Sequence, residues 1–176
     1  MTTAEGGTEE LSPVLERALS LLEGHVTGYH SYLGDDTVLV DASHRHEAAK
    51  ALKDDDQLSF DMLIDTTVVD WPDDELRFEI VDHFFSTRHH HRIRLKFRVD
   101  EDAPELPSIT PLYGSANWME REAWDMFGVR FSDHPDLRRI LLYEEFEGHP
   151  LRKDYDKMDA QPLFTPRYHG TRESDG

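Results

Sequence analysis

The sequence predicts an α+β fold: a two-layer domain with helices packed on one face of a mixed β-sheet, followed by a helix and a long irregular C-terminal extension. Three observations carry this. Val14, Leu15, Ala18, Leu19, Leu21 and Leu22 make an apolar stripe at helical spacing near the start. Three strand-like segments then run consecutively between Leu58 and Val99. Beyond prolines at 104, 107 and 111 comes one helix, then a stretch dense in His-Pro and charge pairs with little period. Helices interleaved with one strand and followed by a run of three strands suit helices on one side of a sheet.

In chain order, residues 1–10 read as a flexible leader, short, polar and rich in Gly and Glu. Ser12 is placed to cap a first helix with Pro13 at its first position, and Gly24 to end it. Thr37 to Asp41 reads as a short buried strand, and Ser43 to about Lys53 as a short helix closed by Asp54, Asp55 and Asp56. Leu58, Phe60, Met62 and Ile64 suggest an inward-facing alternation in a strand reaching Asp70; Phe78 to Ser86 is a mixed strand, with a hairpin loop from Ser86 to His90. Ile93, Leu95, Phe97 and Val99 alternate strictly with Arg92, Arg94, Lys96 and Arg98, so a one-residue slip would bury four cations. Asn117 with Glu120 resembles a capping box, which predicts a helix over 118–127 stopped by Gly128. The expected organisation is a leader at 1–10, an α+β domain at 11–128 and an extended, partner-wrapping tail at 129–176.

The charge of −18 disfavours nucleic-acid binding, which draws most of its affinity from Lys and Arg. Acidity is concentrated in residues 1–110, with ten cationic against 24 acidic side chains; residues 111–176 carry nine against 13. The absence of cysteine excludes disulfides, thiolate zinc sites and iron–sulfur clusters held by this chain's cysteines. The N-terminal residues lack the pattern of a signal peptide, and no apolar run reaches the roughly 18 residues of a spanning helix. An intracellular chain that meets a membrane only through partners is expected.

Candidate chemistry is thin. Glu120 and Glu122 make a poor acid/base pair, because residues two apart on a helix point to different sides. Charges on this helix therefore read as exposed or partner-bound. His89, His90 and His91 diverge if extended. A metal-dependent hydrolase using His134, Asp136 and Glu122 is the rival from a different class, but no HExxH or comparable spacing supports it. The cationic ladder 92–98 reads as a solvent-facing strand side neutralised by neighbours such as Asp61, Asp65 or Glu79. Gly148 to Tyr155 joins turn formers to a basic pair, a carboxylate and an aromatic, a mixture suited to docking.

Read together, Ser108-Ile109-Thr110, Gly114 to Trp118, Glu120-Arg121-Glu122, Trp124 to Val129, Phe131, His134 to Leu141 and Gly148 to Tyr155 resemble the signature of the thirty-kilodalton (C-type) subunit family of respiratory complex I, the NADH:quinone oxidoreductase. The resemblance covers about a quarter of the chain contiguously. It implies a noncatalytic assembly subunit in the peripheral arm of a proton-translocating complex, at the cytoplasmic face of the cell membrane. The expected partners are the large hydrogenase-like subunit of the quinone site and neighbouring iron–sulfur subunits. This chain would hold no cofactor; FMN, iron–sulfur clusters and quinone would belong to its neighbours. Carried over residue by residue, Glu120, Arg121, Glu122, Asp125, His134, Arg138, Arg139, His149, Arg152, Lys153, Asp154 and Tyr155 become expected interface or motif-fixing positions. Relatives also serve membrane-bound hydrogenases and complexes with other donors, an alternative within the same family.

Overall fold

A computed structural model describes residues 11–158 and 160–162; the expected leader, position 159 and positions 163–176 lie outside the described residues. The elements are α1 (Pro13–Leu21), β1 (Val26–Tyr32), β2 (Asp35–Val40), a 3-10 turn (Ala42–His44), α2 (Arg45–Asp54), β3 (Met62–Asp70), β4 (Phe78–Phe85), β5 (Arg92–Val99), β6 (Glu105–Pro107), α3 (Ala116–Phe127) and β7 (Arg130–Ser132). Five strands form one mixed sheet in the order β1-β2-β5-β4-β3, in which only β2 and β5 run parallel. β6 and β7 form a small parallel ribbon.

The core lies between the sheet and the helices, as the sequence predicts. Ile93, Leu95, Phe97 and Val99 on β5 face inward beside Phe84, Ile80 and Phe78 on β4 and Val38 and Val40 on β2. Leu15, Ala18 and Leu22 from the first helix, Ala48, Ala49 and Leu52 from α2, and Ala116 and Ala123 from α3 close the other side. Ser12 accepts a hydrogen bond from the Leu15 amide at 3.0 Å with Pro13 following, so the predicted cap forms.

Three local expectations are corrected, and a fourth is met in part. The sequence pattern marks no element at β1, whose residues are mostly exposed and offer little apolar period. The strand forms because Leu33 and Gly34, both at positive φ, make the two-residue turn that matches strand twist. In the Leu58 to Ile64 segment the expected inward phase fails half-way. Leu58 and Phe60 are buried, but Met62 and Ile64 are 49% and 47% exposed, and Leu63 points in. The switch follows positive φ at Ser59 and a register shift between Leu63 and Asp65, each of which rotates the alternation. α3 begins at Ala116 with Ser115 before it, so the capping box at Asn117 does not form. Along the outer face of β5, Glu79 pairs with Lys96 at 2.9 Å and Arg98 with Asp74 at 2.6 Å, whereas Asp61 accepts from the Thr87 amide instead.

Candidate interaction site

The first polar feature lies in the core. Arg45, at the start of α2, is fully buried and reaches across the domain. Its guanidinium donates to both oxygens of Asp82 on β4 (2.8 and 3.0 Å), to Glu120 on α3 at 2.7 Å and to the Pro107 carbonyl at 3.0 Å. Asp82 occupies a core position of β4 opposite Leu95, which explains why that strand reads as mixed. Glu120 also accepts from the Ile109 amide at 2.9 Å and the Ser108 hydroxyl at 2.6 Å. Burial alone would disfavour the Arg45 charge, but the two carboxylates outweigh it and hold its pKa above the ordinary value. Among the described residues every buried side-chain nitrogen or oxygen has a partner.

The second feature clips the C-terminal arm onto the domain. Asp125 is fully buried in the last turn of α3, where a carboxylate opposes the helix dipole. Its oxygens accept from the amides of Ile140, Leu141 and Leu142 (3.0, 2.8 and 3.0 Å) and from Arg139 at 2.6 Å. Burial pushes its pKa up, yet these donors prevail and hold it below the usual carboxylate range. Arg139 donates onward to the carbonyls of Phe146 and Gly148, folding the arm back on itself.

Further along, the His149 ring donates from Nδ1 to the Asp125 carbonyl at 3.0 Å, and Arg152 donates to the Phe127 carbonyl at 2.5 Å. Both lie against Gly128, where an added Cβ would meet Arg152 Nη2 at 2.5 Å and the His149 ring at 2.7 Å. Gly128 is thus required twice, for its φ of +79° and for the approach of the arm. Arg77, buried at the start of β4, is bidentate to Asp70 (2.7 and 2.9 Å) and pairs with Asp154 at 2.8 Å, while the Lys153 amide donates to Asp70 at 2.7 Å. The guanidinium groups of Arg77 and Arg152 both lie about 5 Å from the Phe78 ring centre.

These contacts sort the expected interface residues. Glu120, Asp125, Arg139, His149, Arg152 and Asp154 are engaged by the chain itself. Glu120 and Asp125 are not the exposed or partner-bound charges expected of this helix; groups distant in sequence bury them. His134 has its side chain buried: Nε2 faces the Asn117 carbonyl at 3.3 Å and Nδ1 accepts from the Asp136 amide at 3.0 Å, so both nitrogens are committed. Tyr155 packs on Gly148, stacks on Phe146 and accepts from Gln161 through its hydroxyl. Glu122, Arg138 and Lys153 are exposed, and Arg121 is half-buried, donating to the carbonyls of Arg138 and Arg139. Among the described residues no group of three or more His, Asp or Glu side chains could hold a metal, and His134, Asp136 and Glu122 form no such group.

The clip is expected to respond to pH. Hydrogen bonding to Arg77 holds Asp70 and Asp154 low; burial holds His149 low. A group whose pKa falls on folding contributes stability above its unfolded value, lost as pH falls through the folded one. The arm is therefore expected to loosen first below about pH 6.5, as His149 is forced to charge, and then below about pH 4, as the carboxylates protonate. Hydrogen exchange across 138–155, corrected for intrinsic pH dependence, checks this; protection that is flat from pH 7 to 3 would contradict it.

Residues 38–161 match the family model described as the respiratory-chain NADH dehydrogenase 30 Kd subunit. The chain belongs to this family. Among its relatives, the C-type NADH-quinone oxidoreductase subunit of Hyphomonas neptunium is 40% identical over 168 residues, covering 85% of this chain and 83% of the relative. The same-named subunit of Parvibaculum lavamentivorans is 45% identical over 147 residues, covering 84% and 73%. A solved trypsin-resistant fragment of Nqo5 superposes with TM-score 0.58 at 32% identity, covering 70% of this chain and 99% of the fragment. A chain of a membrane-bound sulfane sulfur reductase, an archaeal respiratory membrane complex, has TM-score 0.69 at 23% identity over 82% and 85%, which shows the shared fold.

Within this family frame, several structural residues escape sequence reasoning. Arg45, Asp82, Arg77 and Asp70 act through partners far off in the chain, the Lys153 amide on Asp70 being the most distant, and no local pattern marks Arg45, Arg77 or Asp70. A weak sign exists for Asp82, a carboxylate interrupting an otherwise apolar strand face. Among the described residues no helix is long and apolar enough to cross a membrane.

Proposed function

We propose that the chain is a noncatalytic assembly subunit of a proton-translocating NADH:quinone oxidoreductase, held in the peripheral arm at the cytoplasmic face of the membrane. It docks on the large hydrogenase-like subunit of the quinone site through α3 and the clipped arm. FMN, iron–sulfur clusters and quinone reside in neighbouring subunits; this chain has no cysteine with which to hold a cluster. Family membership supports the reading, and one observation carries the choice of surface. Arg139, Arg152 and Asp154 of the arm are committed internally, while beside them Trp118 and Leu141 are 63% and 61% exposed. Arg121 bridges the two, its guanidinium 5.5 Å from the Trp118 ring centre and its donors on the backbone that leads to Leu141. An exposed Trp beside Arg is the composition of an interface anchor.

The test is recovery of partners from membranes in mild detergent, with the chain tagged and its companions identified by mass spectrometry. Flavin, iron–sulfur and membrane subunits are expected, the flavin subunit's donor naming the enzyme. Trp118→Ala is expected to leave the isolated chain folded and to cut recovery of the large subunit by about tenfold or more, since anchors of this kind contribute about 2 kcal/mol or more. Recovery of the chain alone would overturn the assembly role, and undiminished recovery with Trp118→Ala would overturn the docking surface.

A further inference from the structure

The two edges of the sheet are treated differently. β3 is guarded: α3 packs over it, Ser115 donates to the Leu63 carbonyl at 3.3 Å, Asp61 precedes it, and Asp65 and Asp70 lie on it. β1 is bare. From Gly24 to Gly34 there is no Asp, Glu, Lys, Arg or Pro in a chain 32% charged, and Tyr29, Tyr32 and Leu33 are 51%, 72% and 88% exposed. Soluble proteins block open edges with charges, prolines or covering elements, because unpaired N–H and C=O groups invite another strand. A single irregularity between Val26 and Gly28 leaves the stretch from Gly28 to Tyr32 in continuous register with β2.

The register shows which groups are open. Tyr32 and Asp35 close a two-residue hairpin, and such a closing pair exchanges both its backbone bonds. Bonded pairs then alternate, so the amides of His30 and Tyr32 face β2 while those of Tyr29 and Ser31 point outward. Near the other end of the strand, a groove of about 360 Å³ lined by Thr27, Leu39 and Leu76 together with Asp41, Lys96 and Arg98 is large enough for one side chain of an added strand. Exposed Glu23 and Asp41 and half-exposed Asp35 rim this uncharged edge; of the nearby cations, Arg94 lies 3.9 Å from Asp35, and Lys96 and Arg98 are already paired with Glu79 and Asp74. A second copy of a chain with charge −18 would bring like charge against that rim, whereas a basic segment would complement it.

We propose that β1 is an acceptor strand, to whose open edge an extended segment of a neighbouring protein subunit, bearing Lys or Arg, adds by β-augmentation. This edge lies on the opposite side of the sheet from α3, so the proposal is independent of the docking surface on that helix.

Residue-resolved hydrogen exchange on the free chain and on the detergent-purified assembly tests it. The Tyr29 and Ser31 amides are expected to exchange about 100-fold or more slower in the assembly, while His30 and Tyr32 are protected in both. Ser31→Pro removes an outward donor and tolerates an edge position, so the hairpin is expected to persist while protection at Tyr29 in the assembly is lost. Equal exchange of Tyr29 and Ser31 in both states, or full protection at Tyr29 in an assembled Ser31→Pro variant, would overturn the proposal. Concentration-dependent protection in the free chain with doubling of its mass would also overturn it, by making the occupant a second copy.

Discussion

Replacing Arg45 with methionine is expected to destabilise the domain by about 3–5 kcal/mol, because it strands Asp82 and Glu120 in the core without their cation. For a chain of this size that corresponds to a fall in Tm of roughly 6–20 °C. The penalty arises from the abandoned carboxylates rather than from any large net worth of the ion pairs, since burying three charged groups offsets much of their attraction. Two comparisons separate these terms. Arg45→Lys retains the charge but not the planar fork that serves Asp82 and Glu120 together, so an intermediate loss is expected. Adding Asp82→Asn and Glu120→Gln to Arg45→Met should recover more than half of the loss. Urea denaturation of the four proteins is the measurement; a loss below about 1 kcal/mol for the single variant would show that the network is not what joins α2, β4 and α3.

Asp125→Ala is expected to act locally. It removes the acceptor of three consecutive amides and of Arg139, and no apolar residue can replace that acceptor. Protection of the Ile140, Leu141 and Leu142 amides should fall by about tenfold to 1,000-fold, and trypsin should gain access after Arg138, Arg139, Arg152 and Lys153. That range corresponds to roughly 1.4–4 kcal/mol of local opening free energy. The sheet should keep its urea midpoint, because the groups that the Asp125 carboxylate holds, Arg139 and the 140–142 amides, belong to the arm. Unchanged exchange in the arm would mean that the Arg77 and Arg152 contacts hold it without the Asp125 clip.

These two cases mark where sequence reading succeeds and where it stops. The strict alternation of β5 declares its own inward face, because hydrophobic burial and charge solvation act residue by residue with period two. Ser12-Pro13 and Gly128 declare helix ends for equally local reasons: a free hydroxyl acceptor, a preset φ and an unhindered positive φ. The family signature is legible over 108–155, but it does not reveal which of its charges face inward. Glu120 and Asp125 look like surface charges on α3 until Arg45 from one side and the 140–142 backbone from the other are brought to them.

Composition, periodicity and motif order in this sequence by themselves determined the α+β class, the inward face of β5, the position of α3 and the family. Tertiary structure alone decided that β1 is a strand, that Leu58 and Ile64 face different ways, that Arg45 sits between two carboxylates and that the arm folds onto its own domain. The physical reason is common to these cases. Local propensity and amphipathic period are properties of adjacent residues, whereas the burial of a charge or the pairing of a polar edge is set by groups that only the folded chain brings within hydrogen-bonding distance.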